Sequence, residues 1–188
     1  MCNRFRIKIP SKDGFEKCEI VSLSTTDAKN FIDAKWWDLD EQGNAPDIEW
    51  EWAKIVQKHQ YKGDFDRLCI KNNAGEIIGA MILYVDGLSV IDKGERAVMI
   101  TWLATEPKSR HSCLNRRYTK IGKALVQLAV RISNSLGFAG KVVAGSLLES
   151  ESFYLKLGFT KTDLKNNEQL NFLELSSSAA SQLLADEL

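Results

Sequence analysis

The chain has 188 residues, and its 25 lysines and arginines balance its 25 aspartates and glutamates, so the formal net charge is zero. Hydrophobic residues make up 44% of the chain and charged residues 27%, which is typical of a globular protein and excludes a disordered or collagen-like one. The length suits one domain, residues 1–188. The neutral total excludes a protein whose whole surface is basic for nucleic acid or anionic lipid.

The cysteines and the apolar segments bear on bound metal and on location. No two of the four cysteines have the short spacing of a zinc site, and a disulfide framework is unusual with so few in a chain of this length. The first residues lack the apolar core of a signal peptide, and no apolar run approaches the ~18 residues of a membrane span. We therefore expect reduced thiols, no metal, no membrane contact and a cytoplasmic location.

The first sixty residues predict a β-hairpin and two helices. Residues 5–9 alternate apolar and basic side chains, and a Lys-Asp-Gly turn at 12–14 leads into a second strand. A first helix over residues 27–37 follows N-cap candidates at 24–26, which are serine and threonine. A second helix is predicted to begin after Pro46, whose fixed φ suits a first helical turn.

The clearest element further along is a helix that begins near Thr119. Its apolar residues recur at helical spacing as far as Leu136, and Gly137 is a C-cap candidate. Strands are predicted at 67–71, 76–85, 96–105, 141–145, 159–163 and 170–175, and further helices at 149–157 and 178–187. This order predicts an α/β (α+β) fold with a mostly antiparallel central sheet flanked by helices.

The charges are not spread evenly along the chain. Residues 107–148 contain no aspartate or glutamate but eight lysines and arginines, so the rest of the chain carries 17 cations against 25 acids. Four of these cations crowd the start of the clearest helix: Arg116, Arg117, Lys120 and Lys123. A helix start already carries a positive dipole end and free N–H groups, so cations there indicate a bound anion. The alternatives are a solvated basic face and a nucleic-acid contact.

Two sequence motifs resemble those of the GNAT superfamily of N-acetyltransferases. Leu103–Pro107 reads LATEP and is followed by RYTKIG at residues 117–122, which resembles the strand and pyrophosphate loop of that family. Phe153–Phe159 reads FYLKLGF, which resembles the second signature almost letter for letter. The resemblance is strongest over residues 68–175 and implies a GNAT-like acyl-CoA N-acyltransferase fold.

The resemblance also implies where acetyl-CoA binds as co-substrate. The pantetheine arm would pair with the backbone of Leu103, Ala104 and Thr105. The pyrophosphate would lie at the loop and helix start. The residues expected to bind it there are Arg117, Tyr118, Thr119, Lys120, Ile121, Gly122 and Lys123.

The sequence departs from the family pattern at several positions. Lys120 stands where the first glycine of the loop is usual, and residues 111–117 are about seven extra residues. Arg110 is an alternative to Arg117 as the arginine of the motif. Leu147 replaces a usual asparagine, and residues 98–102 lack an acid that some members carry.

By the same resemblance, Tyr154 is the general acid that protonates the departing thiolate after an amine attacks the thioester directly. Tyrosine has a higher pKa than a thiol, so it stays protonated and can donate. The alternative for Tyr154 is a packing aromatic on a short helix. The general base is unassigned: water, no base at all, or Glu95, which is more often a solvated strand end.

An acidic, tryptophan-rich segment predicts the acceptor side. Residues 33–51 contain seven acids, one cation (Lys35) and the tryptophans Trp36, Trp37 and Trp50, and Trp52 follows directly. The acids are Asp33, Asp38, Asp40, Glu41, Asp47, Glu49 and Glu51. Acids and indole faces suit a cationic amine. The alternative is a tryptophan core beneath a solvated acidic face.

These features predict an enzyme that moves an acetyl group from acetyl-CoA to a primary amine of a small molecule or a protein. One alternative is a non-catalytic acyl-CoA-binding regulatory domain. Another is an acetyltransferase with an RNA-bound acceptor, which we do not expect because few aromatics interleave with the basic residues. A homodimer is left open.

Overall fold

A computed structural model of the chain describes residues 5–36, 47, 49–165 and 170–186. The chain divides into two compact units. The first contains the described residues of Met1–Ile82 and Trp102–Leu125, and the second contains those of Leu83–Thr101 and Val126–Glu187. The single domain expected from the length stays a prediction.

The described residues form eight strands of one mixed sheet, in the order β1-β2-β3-β4-β5-β6-β8-β7. All the predicted strands are confirmed, most of them within two or three residues at each end. Their bounds are β1 Phe5–Ser11, β2 Gly14–Ser22, β3 Phe65–Lys71, β4 Ile77–Leu88, β5 Arg96–Thr105, β6 Val142–Ser146, β7 Thr160–Lys165 and β8 Asn171–Leu175.

The strand pairing is mostly antiparallel, as predicted. In the first unit β1 pairs with β2 and β2 with β3 in antiparallel ladders. In the second unit β8 pairs antiparallel with both β6 and β7. β5 and β6 pair in parallel over three residue pairs, and this ladder ends at Ile100↔Ala144 although β5 continues to Thr105.

The predicted helices exist, but the first two differ from expectation. The helix α1, Thr25–Asp27, continues as a π-helix over Ala28–Asp33, and Ser24 is its N-cap. The helix α2, Trp52–His59, begins at Trp52 and not directly after Pro46 as predicted, and residues 49–51 before it are not helical. The reason is a distant cap: the carboxylate of Asp33 accepts the N–H groups of Trp52 at 2.8 Å and Ala53 at 2.9 Å.

The other helices match the sequence closely. They are α3 Ile121–Ser135, α4 Glu151–Lys156 and α5 Ser177–Ala185. Gly137 and Gly158 follow α3 and α4 with positive φ, at 81° and 93°, as expected for C-capping glycines.

In the first unit, α1 and α2 pack on one face of the sheet. Trp36 and Trp52 are buried there among aliphatic residues of β4 and β5, and the Trp36 indole N–H donates to the carbonyl of Ile77 at 3.1 Å. The same unit holds a close approach at Gly79 of β4, where a Cβ would lie 2.5 Å from Ile121 Cγ2 and 3.2 Å from Leu125 Cδ1. The missing side chain at Gly79 therefore lets the first turn of α3 lie directly on the sheet.

A buried glutamate and a buried lysine hold the loop between β4 and β5 in the second unit. The Glu174 carboxylate accepts the N–H groups of Val90 and Ile91 and the hydroxyl of Ser89. Lys141, whose side chain is 8% exposed, forms ion pairs with Asp92 and Glu95.

Cys18, Cys69 and Cys113 are free thiols, and Cys2 lies outside the described residues. Across the described part of the chain, no three histidine, cysteine, aspartate or glutamate side chains are arranged to hold a metal ion. None of the described helices is both long and apolar enough to cross a membrane.

Substitution of Gly79 by alanine tests the close approach. We expect Gly79→Ala to lower the free energy of unfolding by about 1–3 kcal/mol, because the new Cβ forces α3 or the sheet to shift. Equilibrium urea unfolding measures the change. Gly63→Ala is the matched control, since its Cβ would meet no atom within 4 Å, and a loss of similar size there would contradict the interpretation.

Candidate functional site

The residue before α3 has a left-handed backbone conformation. Lys120 precedes the helix with φ 61°, one of only two described non-glycine residues with a positive φ. Glycine adopts this left-handed conformation without strain, whereas a side chain costs about 1–2 kcal/mol. The lysine therefore keeps, at a cost, the backbone conformation that a glycine would adopt at this position.

The loop that leads into α3 is closed at its base by hydrogen bonds. The N–H of Arg117 donates to the carbonyl of Lys108 at 3.0 Å, and the N–H of Tyr118 donates to Ser109 Oγ at 3.2 Å. The N–H of Thr119 donates to the carbonyl of Pro10, at the tip of the β1–β2 hairpin, at 2.9 Å. The extra residues 111–117 therefore form an excursion whose two ends meet, and α3 begins at a fixed place.

Glu106 is the buried centre of this loop base, and the sequence analysis missed it. Its side chain is 3% exposed and accepts the Ser109 hydroxyl at 2.7 Å. Burial raises the pKa of Glu106, while the hydrogen bond from Ser109 and the nearby Arg117 oppose the shift. The sequence signal that could have identified it is a glutamate between the largely apolar strand at 96–105 and Pro107.

Both candidate arginines of the motif already have carboxylate partners. A guanidinium nitrogen of Arg117 lies 2.6 Å from a carboxylate oxygen of Glu76. A hydrogen bond from Asn72 and this contact with Arg117 lower the pKa of Glu76. Arg110 makes a two-pronged ion pair with Asp47 at 2.8 and 2.9 Å and donates Nε–H to the carbonyl of Thr105. A phosphate at this loop would therefore share these cations with protein carboxylates.

Tyr118, a predicted cofactor residue, has a side chain turned into the first unit. It is 1% exposed, and its hydroxyl donates to Glu16 at 2.6 Å and accepts from Asn72 at 3.2 Å. Burial and the Glu16 carboxylate raise the pKa of Tyr118 to about 12. Only its backbone is left to face a ligand, and that N–H is the one bonded to Ser109.

The first unit brings together all ten predicted cofactor residues. Leu103, Ala104 and Thr105 form the end of β5, beyond the last residue pair of the ladder with β6. The others follow as the loop base and the first residues of α3. The start of the helix supplies a positive dipole end, and Lys120 is exposed beside it.

Tyr154, the predicted general acid, lies in the second unit. It is on α4, 5% exposed, with Phe159 edge-on to its ring at a centroid distance of 5.2 Å. Burial raises the pKa of Tyr154 well above its usual value of 10. The hydroxyl therefore stays protonated at all pH values at which the protein would work.

The acidic segment proves to be largely structural where it is described. Asp33 caps α2, Asp47 pairs with Arg110, and Glu51 pairs with Lys54 at 2.7 Å. Trp37, Asp38, Asp40 and Glu41 lie outside the described residues. A cationic acceptor held by this segment stays a prediction.

Of the tryptophans, Trp36 and Trp52 are core residues. Trp50 is only partly buried and packs edge-on against Trp102 of β5 at a centroid distance of 4.7 Å. Trp102 comes directly before Leu103, a position that the sequence analysis did not single out. Glu95, the candidate base, is one of the two carboxylates that hold Lys141.

Glu106 predicts a pH-dependent stability. Because its pKa is raised in the folded state, the wild-type protein loses free energy of unfolding as the pH rises from about 4.5 towards neutrality. Glu106→Gln keeps an acceptor for Ser109 but cannot ionise, so we expect the variant to gain stability relative to the wild type over that range. Urea unfolding at several pH values measures the difference.

Glu76→Gln is the control with the opposite sign. Because the pKa of Glu76 is lowered in the folded state, its ionised carboxylate stabilises the fold at pH values above the ordinary glutamate pKa. This stabilisation is lost as the pH falls through the lowered, folded-state pKa. The Glu76 variant should therefore lose stability at neutral pH and approach the wild type in acid. If the free energy of unfolding of the two variants, relative to the wild type, changed with pH in the same direction, the opposite pKa shifts of Glu106 and Glu76 would be contradicted.

Lys120 predicts a substitution that stabilises the protein. Lys120→Gly relieves the left-handed strain but adds backbone entropy to the unfolded chain, so we expect a net gain of up to about 1 kcal/mol in urea unfolding. Lys120→Ala removes the same charge and keeps the Cβ, so it should bring no gain. A gain of equal size in both variants would assign the effect to the charge.

The likeness of the chain to known proteins lies in its structure. No protein-family model matches it, and no curated protein matches it in sequence. Solved structures do match. The GNAT domain of S. lividans PAT is 13% identical with a TM-score of 0.61, over 90% of this chain and 96% of that one.

Two further matching structures are a spermidine acetyltransferase and a protein with acetyl-CoA bound. A chimera of the spermidine N-acetyltransferase SpeG from Vibrio cholerae and hSSAT is 14% identical with a TM-score of 0.57, over 87% of this chain and 98% of that one. A mutant AtaT toxin bound to acetyl-CoA and to the C-terminus of the antitoxin AtaR is 19% identical with a TM-score of 0.52, over 70% and 79%. These matches cover most of the chain, which therefore has the fold of the GNAT acetyltransferases.

Proposed function

We propose that the chain is an N-acetyltransferase that moves an acetyl group from acetyl-CoA to a primary amine of a small molecule or a protein. The observation that carries the proposal is the start of α3. There, a left-handed residue, a closed basic loop and the positive dipole end of a 15-residue helix occur together in a GNAT fold. A structural neighbour of this fold holds acetyl-CoA.

The cofactor phosphates suit the first turn of α3. Backbone N–H groups from Lys120 onward point along the helix axis and carry its positive dipole end. The Lys120 and Lys123 side chains add charge. Arg117 is paired with Glu76. A phosphate that binds here would share the arginine with that carboxylate and so weaken the ion pair.

The thioester suits the end of β5. The ladder with β6 ends at Ile100, which leaves the backbone of Leu103–Thr105 outside it, and the pantetheine amides would extend that strand edge. A strand N–H would stabilise the oxyanion that forms when the amine attacks the thioester carbonyl. Removal of one such donor costs about 3–4 kcal/mol of transition-state stabilisation in other enzymes.

Tyr154 would complete the reaction. The new N–C bond forms as the amine attacks, the C–S bond breaks, and the tyrosine O–H gives its proton to the thiolate. The tyrosinate is then the stronger base, because burial raises the pKa of Tyr154, and it recovers a proton from the acetylated nitrogen. No separate general base is needed if the acceptor arrives as a neutral amine.

The acceptor is proposed only as an amine. One neighbour in fold is a spermidine acetyltransferase, which agrees with a cationic acceptor. The partly buried pair Trp50 and Trp102, next to Leu103, offers indole faces to such a group. Three of the described acids, Asp33, Asp47 and Glu51, have structural partners, so the indoles carry this part of the proposal.

Turnover of acetyl-CoA tests the proposal. Release of free thiol should depend on an added amine, in a screen that includes polyamines, amino sugars, amino acids and peptides. We expect Tyr154→Phe to lower kcat by about 100-fold, a usual size for a general acid, and to leave the Kd for CoA unchanged. The raised pKa of Tyr154 predicts that kcat does not fall on its account below pH 10.

Tyr61→Phe is the matched control, since Tyr61 is 92% exposed and should not affect kcat. If no amine class gives turnover while CoA still raises the melting temperature, the chain is a CoA-binding domain and not an enzyme. A large loss of CoA affinity in Tyr154→Phe would contradict the role as an acid.

A further inference from the structure

A buried polar cluster lies at the first turn of α4, within the second unit. Glu151, the first residue of the helix, is 9% exposed, and Asn171 at the start of β8 is 7% exposed. The Glu151 carboxylate accepts the Asn171 side-chain amide on one oxygen and lies 2.8 Å from Lys161 Nζ of β7 on the other. The helix start is therefore held to both strands of the β7–β8 hairpin.

This cluster is costly. A carboxylate loses its hydration when buried, and the lysine paired with it is 47% exposed, so solvent screens the attraction that offsets this cost. The Asn171 side-chain oxygen is buried without a hydrogen-bond partner among the described residues, which adds a further penalty. Apolar side chains would join the same elements at less cost, so the cluster is better explained by the geometry that it imposes.

The geometry in question is that of Tyr154. It lies three residues after Glu151, so both side chains share one face of α4, and both are buried. At the other end of the helix, the N–H of Phe159 donates to the carbonyl of Tyr154 at 3.2 Å and the Phe159 ring packs on the tyrosine. A helix of only six residues is thereby fixed on both sides of its tyrosine.

We infer that Glu151, through its contacts with Lys161 and Asn171, is a positioning residue that orients the Tyr154 hydroxyl for proton donation. The inference rests on the proposed function. Glu151 exchanges no proton with the substrate: the tyrosine O–H bond breaks and the S–H bond of CoA forms, and the carboxylate only keeps α4 in register with the hairpin. The orientation matters because misplacement of a reacting group by about 1 Å costs on the order of 100-fold in rate.

The experiment compares Glu151→Gln with Glu149→Gln, an exposed glutamate two residues earlier. We expect Glu151→Gln to lower kcat about tenfold with the KM for acetyl-CoA unchanged, and Glu149→Gln to match the wild type. In a Tyr154→Phe background, Glu151→Gln should lower kcat no further, because a positioning residue acts only through the tyrosine. Additive losses, or equal losses in both glutamate variants, would overturn the inference.

A second measurement does not depend on turnover. The chain has four tyrosines, so the Tyr154 ring signal in the NMR spectrum of ¹³C-tyrosine-labelled protein is assigned from its absence in Tyr154→Phe. We expect that signal to shift or broaden in Glu151→Gln and in Lys161→Met, but not in Glu149→Gln. Lys161→Met serves alone if Glu151→Gln does not fold.

The two proposals fail differently. An inactive wild type with a displaced Tyr154 signal refutes the enzyme and keeps the structural coupling between Glu151 and the tyrosine ring. An active wild type whose Tyr154 signal is unmoved in both variants refutes the positioning role and keeps the enzyme.

Discussion

The base of the loop before α3 is the constraint on which the first unit depends. A buried carboxyl, Glu106, accepts the Ser109 hydroxyl, and that oxygen accepts the N–H of Tyr118. Two residues later the chain turns through a left-handed conformation into the helix. Because the loop is closed by these bonds, its seven additional residues change neither where α3 begins nor how its first turn meets the sheet at Gly79.

The distribution of charge has a different meaning in three dimensions than along the chain. Counted in sequence, residues 107–148 carry eight cations and no acids. In the structure, Arg110, Arg117 and Lys141 are each paired with carboxylates from distant segments. The field at the start of α3 is therefore weaker than the count suggests, and the helix N–H groups carry a larger share of any phosphate binding.

The order and type of the elements could be predicted from the sequence, because apolar periodicity and turn residues are local signals. The start of α2 could not, since its cap is Asp33, a residue far away in the chain. The cofactor loop stays a prediction from its sequence motif, whereas Glu106 was missed because a buried carboxyl inside a strand motif has no periodic signature. The roles of Asp47 and Glu151 depend on partners 63 and 20 residues away, and no local pattern indicates those.

Lys120 also bears on how relatives of such a chain are found. Its backbone has the left-handed conformation that glycine adopts without strain, although the residue is a lysine. No family model matches the sequence, although solved structures match along most of its length. The likeness of this chain to known proteins therefore lies in its structure, and Lys120 is one position where a glycine-like backbone occurs without the glycine.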